Sequence, residues 1–294
     1  MKQIKKEVTI VVLICCLTLI IEVNPVKARG EQITINQSSV QQGGLIKVTA
    51  PYKMKQMQIL FGGNSYSFRA EEGQSISLLP VSYWLQTKKY RLTVIDKEGQ
   101  VLKKWAIDVQ DGDFAKSYLT VDEENKKKVK PTDPKRQKRR KRDKELVYQA
   151  RAVSSSNRLW ERSFIPPIAE GRISTRFGAT RYHNGKLANR HSGIDIAVDQ
   201  GTPIKATNAG KVVLADDLLA TGNTIIIDHG WNVFSSYLHC SELKVKVGDK
   251  VERGEVIALV GDTGFSTGSH LHWSISIGRV FVNPNQFLKL KLSN

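Results

Sequence analysis

The segment His270-Leu271-His272-Trp273-Ser274-Ile275-Ser276-Ile277 alternates polar and apolar side chains without a break. Successive side chains of an extended chain point to opposite faces, so this pattern requires a half-buried strand. His270, His272, Ser274 and Ser276 share one face, and Leu271, Trp273, Ile275 and Ile277 share the other. Two imidazoles therefore project side by side from one sheet.

The surrounding sequence has a matching texture. From Pro166-Pro167 onward, glycines such as Gly193, Gly210, Gly222, Gly254 and Gly264 interrupt apolar runs that include Lys211 to Ala215, Thr224 to Ile227 and Val256 to Val260. Strand, tight turn, strand is the signature of an all-β domain with many hairpins, expected over residues 157–294. Residues 31–122 carry their own series of short strands: Ile33 to Ile35, Leu45 to Thr49, Met57 to Phe61, Tyr66 to Phe68, Ser75 to Leu79, Tyr90 to Ile95 and Trp105 to Val109. That spacing predicts an Ig-like β-sandwich. It contains no His and no Cys, which makes it a binding or spacing module rather than a second catalytic unit.

With 294 residues, 40% hydrophobic and 25% charged, the chain has room for two ordinary cores. The net charge of +17 is concentrated. Lys126 to Lys144 holds twelve Lys/Arg against two Asp, within a basic linker spanning residues 123–156. Beyond Pro134, Lys135 to Val153 has no Pro or Gly and is expected to be helical. Clustered cations of this kind attract polyanions. Teichoic acids, as anionic wall polymers, or anionic headgroups of a membrane surface are the expected partners.

Nucleic acid is not expected, because the N-terminus reads as an export signal. Lys2, Lys5 and Lys6 precede a 14-residue apolar run from Val8 to Ile21, and Val26-Lys27-Ala28 supplies small residues for cleavage. A membrane span needs about 20 residues, so a signal peptide over 1–28 is the better reading than an uncleaved anchor. The expected location is extracytoplasmic, secreted or associated with the cell wall. Removal of the signal leaves Cys240 as the only cysteine, so packing alone must stabilise the mature chain.

All six histidines lie between positions 183 and 272. In His191-Ser192-Gly193-Ile194-Asp195, the even spacing puts His191 and Asp195 on one face of an extended segment. Imidazole and carboxylate both bind Zn²⁺, at about 2.0–2.2 Å. Catalytic zinc usually takes three protein ligands. His191, Asp195 and one histidine of the 270/272 pair meet that number, and spacing does not say which of the two. Tyr237-Leu238-His239 places a further imidazole at a strand end. Two histidines would then be free for proton transfer.

The segments RHSGIDIA, GTPIKA, GNTIIIDHG, YLH, VGDKVERGEVIALVGDTG and STGSHLHW, in this order, resemble the lysostaphin-type zinc metallopeptidases over residues about 165–288. The resemblance implies a β-rich peptidase domain that cleaves peptide bonds of bacterial peptidoglycan, in a cross-bridge or a stem-peptide cross-link, with a zinc-activated water. It implies one zinc per chain, held by His191, Asp195 and His272, with His239 and His270 as catalytic histidines. A catalytically silent peptidoglycan-binding scaffold or hydrolase regulator is the alternative. Such proteins typically lose a ligand or a catalytic histidine, and all five positions are present here.

Other features read as supporting structure. His229 sits in a turn after a strand and is expected to be structural. Cys240 neighbours His239, so alternation turns it into the core. Val247 to Ala258 also resembles lipoyl and biotinyl carrier hairpins, a reading that leaves the histidines without purpose. In the loop Arg181-Tyr182-His183-Asn184-Gly185, Tyr182 and Asn184 are the expected substrate contacts.

Overall fold

The computed structural model describes residues 32–51, 56–119, 133–183, 185–266 and 268–292. The expected signal peptide (1–28), residues 126–132 of the basic run and Asn184 lie outside the described residues.

The first half is built from β1 (Thr34–Ile35), β2 (Ser39–Gln41), β3 (Leu45–Pro51), β4 (Gln58–Phe61), β5 (Asn64–Ser67), β6 (Arg69–Glu71), β7 (Gln74–Pro80), β8 (Lys89–Ile95) and β9 (Val101–Gln110). They form two sheets, ordered β1-β3-β7-β6 and β2-β9-β8-β4-β5. Ile46, Val48 and Leu79 of the first sheet share one core with Ile59, Leu92, Val94 and Ile107 of the second. The pairings are antiparallel except β2 with β9.

The outer face of the β3–β7 sheet is covered as well. Ser75-Ile76-Ser77-Leu78 would ordinarily place its serines in water, yet β7 is buried along almost its whole length. Ile76 and Leu78 join the core of the second half, with Val212, Ile225, Trp273 and Ile277. Polar contacts reinforce this seam. Arg158 pairs with Glu71 through two nitrogens, Asn283 N–H donates to the Gly43 carbonyl at 2.8 Å, and Lys47 Nζ donates to the Lys291 carbonyl at 3.1 Å.

Two elements bridge the halves. β10 (Lys116–Leu119) pairs in parallel with β12 (Thr180–His183), which is antiparallel to β13 (Lys186–Arg190). Helix α1 (Pro134–Ala150) begins where Asp133 accepts bonds from the Lys135 and Arg136 amides, with Pro134 at its first position, both strong initiation signals. The helix expected over Lys135 to Val153 is present and ends at Ala150. Exposed pairs Arg139–Asp217 and Arg142–Asp216 are worth about 0–1 kcal/mol each. The burial of Leu146, Val147 and Ala150 against Leu214, Leu218, Ile226 and Phe234 is the stronger contact.

The second half comprises β11 (Arg172–Thr175), β12, β13, β14 (Ile194–Ala197), β15 (Pro203–Lys205), β16 (Gly210–Leu218), β17 (Gly222–Asp228), β18 (Val233–Cys240) and β19 (Glu242–Leu243). It continues with β20 (Lys250–Val251), β21 (Val256–Leu259), β22 (His270–Ile277), β23 (Val280–Val282) and the short α2 (Asn285–Leu288). The main sheet runs β11-β14-β22-β18-β17-β16-β20, with β23 on β22. The fold is mostly β, as the sequence pattern requires. Among the described residues, no helix is long and apolar enough to cross a membrane.

Candidate metal centre

β22 lies between β14 and β18, and its register places Asp195 and Leu238 opposite His272 on either side. The alternation along β22 is realised in space: Leu271, Trp273 and Ile275 enter the core, while His272 turns to the other face. Asp195 is thus a direct cross-strand neighbour of His272, and His191 reaches them from the segment before β14. His191 is held at its backbone, donating to the Ala179 carbonyl at 2.9 Å and accepting from the Gly178 amide at 2.8 Å.

Three side-chain atoms converge. His191 Nε2, Asp195 Oδ1 and His272 Nδ1 stand at 2.9 Å from one another in all three pairings, and they form a cluster able to hold a metal ion. Their protons show why a cation fits. His191 Nδ1 lies 3.0 Å from the Arg176 carbonyl, which can only accept, so Nε2 of a neutral ring presents a lone pair. Burial alone would raise the Asp195 carboxyl, but contacts with His191 and His272 outweigh it and hold the group far below the usual carboxylate range. Burial pushes His272 down to about 4 against the opposing pull of Asp195. The trio is therefore a carboxylate beside Nε2 of His191, whose Nδ1 is engaged by a carbonyl, and beside a His272 ring whose charged form burial disfavours, a set of electron-pair donors that a divalent cation satisfies.

Two further imidazoles flank the trio. His239, the penultimate residue of β18, has φ of +65°, a left-handed conformation uncommon for a residue with a side chain. The Thr221 carbonyl accepts its backbone N–H at 2.9 Å, and its Nδ1 lies 2.8 Å from the Thr263 carbonyl. His270 Nδ1 lies 2.8 Å from the Gly268 carbonyl. In both rings Nδ1 donates to a carbonyl, which leaves Nε2 as the nitrogen available to accept. His270 Nε2 stands 3.9 Å from Asp195 Oδ1, and the His239 and His270 ring centroids are 4.7 Å apart. Burial, chiefly, lowers the His239 pKa, which favours its neutral, proton-accepting form.

The five residues line a groove of about 400 Å³ together with Ser174, Arg181, Phe265 and Ser269. A larger groove of about 950 Å³ beside α1 is walled mainly by aliphatic side chains such as Leu146, Val153 and Val212, with no convergent ligand set among the described residues. Volume alone does not choose the site.

The sequence matches Peptidase family M23 over residues 189–284. This stretch carries His191, Asp195, His239, His270 and His272, the whole constellation just described. The second half of the chain contains a family M23 peptidase domain. The chain is 39% identical over 113 residues to "Peptidoglycan DD-endopeptidase ShyA" of Vibrio cholerae, covering 38% of this chain and 26% of that protein. It is 39% identical over 123 residues to "DD-carboxypeptidase/endopeptidase Mpg" of Neisseria meningitidis, covering 41% and 28%. The chain spans roughly a third or less of the length of the first such relatives. A crystal structure assigned to peptidase M23 from Pseudomonas aeruginosa is similar with a TM-score of 0.61 and 27% identity, covering 86% of this chain and 96% of that one. The likeness therefore takes in both halves of the fold, and not the M23 domain alone.

Other residues singled out in the sequence fall as follows. Tyr182 stacks on Tyr118, with ring centroids 4.9 Å apart and planes at 17°, while its neighbour Arg181 lines the M23 groove. Cys240 is buried in the core of the second half, and burial pushes its thiol up to about 12. His229 is fully buried, with Nδ1 at 2.7 Å from the Ala209 carbonyl and Nε2 at 2.8 Å from the Ser235 hydroxyl. Arg181, Phe265 and Ser269 are groove residues that the sequence pattern did not single out.

Proposed function

We propose that this chain is an exported zinc-dependent endopeptidase that hydrolyses peptide bonds of bacterial peptidoglycan. The observation that carries the reading is the triangle of His191 Nε2, Asp195 Oδ1 and His272 Nδ1, flanked by two histidines whose Nε2 atoms are free. The names of the relatives, with peptidoglycan DD-endopeptidases among them, support the choice of substrate. His191, Asp195 and His272 would hold the zinc, one per chain. Zinc, when bound, supplies the Lewis acidity that polarises a carbonyl and makes a water acidic.

The chain's own groups supply the rest. Thr263 and Gly268 accept hydrogen bonds from Nδ1 of His239 and His270, which leaves Nε2 of each ring as the nitrogen available for proton exchange. One histidine accepts a proton at Nε2 from the attacking water, and the other, in its protonated form, donates from Nε2 to the developing oxyanion or to the leaving amine. Export rests on the apolar run of residues 8–21 and its flanks. The first half and the basic run Lys126 to Lys144 serve to hold the enzyme at an anionic wall or membrane surface, which raises effective substrate concentration.

Mass spectrometry of purified peptidoglycan digested by the zinc-loaded full chain tests this reading. New peptide fragments with the wild type, absent with His270→Ala, are expected, and their masses identify the bond. No cleavage by a chain that binds zinc stoichiometrically would overturn the hydrolase in favour of a silent wall-binding protein.

A further inference from the structure

We infer that Arg181 binds a carboxylate of the peptide held in the groove, and so makes the site prefer acidic over amidated substrates. This assignment of specificity rests on the peptidase reading above. Arg181 sits on β12, the middle strand of the β10-β12-β13 sheet, with Ser117 and Asn189 as its register partners. Both are short and uncharged, and leave the guanidinium unhindered. The stack of Tyr182 on Tyr118 fixes the roll of β12. Because successive side chains alternate, a strand rolled so that Tyr182 meets Tyr118 turns Arg181 to the other side, where it forms the groove wall with His191, Asp195, His239 and His270.

The charge balance of the groove then points to its ligand. Asp195 is the only acid among the described lining residues, and its carboxylate is occupied by His191 and His272. No carboxylate among the described residues pairs with Arg181. Ser269 Oγ, in the same wall, is buried and has no partner among them. A guanidinium fork matches a planar carboxylate through two parallel N–H bonds. A peptide in this groove carries its negative charge as carboxylates. The match is therefore to a free acid group close to the scissile bond, and an amide at that place forfeits it.

The test uses the zinc-loaded full chain and two probes: a cross-linked stem-peptide dimer with free carboxylates, and the same dimer as its carboxamide. Binding is measured by titration calorimetry, and kcat and KM by fragment release. Charge-assisted bidentate contacts lead one to expect about tenfold tighter binding of the free acid by the wild type. Arg181→Ala should weaken only the acid, bringing the two probes within about twofold, with the loss in KM rather than kcat. Arg181→Lys, which keeps the charge without the fork, should retain part of the preference. Should Arg181→Ala unfold at the assay temperature, Arg181→Gln takes its place, since it keeps most of the side chain's length. Equal or absent binding of both probes by the wild type, or an undiminished preference in the variant, overturns the assignment. A wild type that binds the acid preferentially but cleaves neither probe would sink the peptidase reading and leave the role of Arg181 standing.

Discussion

The carboxylate of Asp143 accepts a hydrogen bond from the Leu219 amide at 2.7 Å. Asp143 is one of two acids in the basic run and is buried. The bond joins helix α1 to the turn between β16 and β17, and the Thr221 carbonyl of that same turn receives the His239 amide. The helix that carries the positive charge is thereby tied, through one acceptor, to the backbone that positions a candidate catalytic histidine.

Replacing Asp143 with Ala strands the partly buried Leu219 N–H, at an expected cost of about 1 kcal/mol. Asp143→Asn keeps an acceptor oxygen and should lose less. Urea unfolding of the three proteins checks the order, and an alanine variant as stable as the wild type would show that the link carries no weight.

Gly193 has no room for a side chain. A Cβ there would sit 2.3 Å from the Trp273 carbonyl oxygen and 2.8 Å from His272 Nε2. Backbone cannot retreat cheaply, so Gly193→Ala should push β22 and its His272 away from Asp195. The expected result is a loss of bound zinc together with about 1–3 kcal/mol of overpacking strain. Metal analysis and a melting curve read the two effects, and undiminished zinc content would contradict the prediction.

His191→Ala and His272→Ala should each abolish stoichiometric zinc binding. His239→Ala and His270→Ala should keep zinc and lose about 10²–10⁴ in rate. Chelation should lower the Tm of the wild type and added zinc restore it, by about 2.7 kcal/mol at a hundredfold excess over Kd. An unchanged Tm under chelation, or full activity in either of the last two variants, would break the assignment of roles.

His229 should make the chain acid-sensitive. Burial lowers its pKa from 6.5 to about 4, so between those values the unfolded chain binds a proton that the folded chain refuses. Stability is then fully present above about pH 6.5 and falls as pH drops toward about 4, by an amount on the order of 3 kcal/mol. The hydrogen bonds agree with a neutral ring: Nδ1–H faces the Ala209 carbonyl, and Nε2 accepts from Ser235. The Tyr237 hydroxyl lies 3.0 Å from Ser235 Oγ and accepts from the Thr207 amide at 2.8 Å. Denaturant midpoints across this pH range test the slope. His229→Gln should flatten it, and a slope that survives the substitution must come from another group.

The strand at His270 to Ile277 and the ligand face of His191 and Asp195 were legible, because each depends on alternation within a few residues. Cys240 is buried as expected but shares its core with Tyr237, three residues away, because left-handed His239 breaks the alternation between them. Spacing left open which histidine of the 270/272 pair joins the trio, since both share a face. The structure brings His272 to Asp195 by cross-strand register, which depends on residues far apart in sequence. Arg181 was illegible for a similar reason. Its direction is fixed by pairing with β10, more than sixty positions upstream, and by an irregular register between Arg181 and Tyr182. The Ser-Ile-Ser-Leu pattern of β7 has the period of a strand with one wet face, and only the second half of the chain explains why both faces are dry.

That doubly covered strand bears on how such chains can be recombined. β7 lies directly against β22, and Ile76 and Leu78 share a core with Trp273, the residue next to His272. A first half grafted from a relative would press foreign side chains onto the strand that carries a candidate metal ligand. The two halves are therefore best regarded as heritable together, each shaped to the other, and not as a cassette and its interchangeable tag.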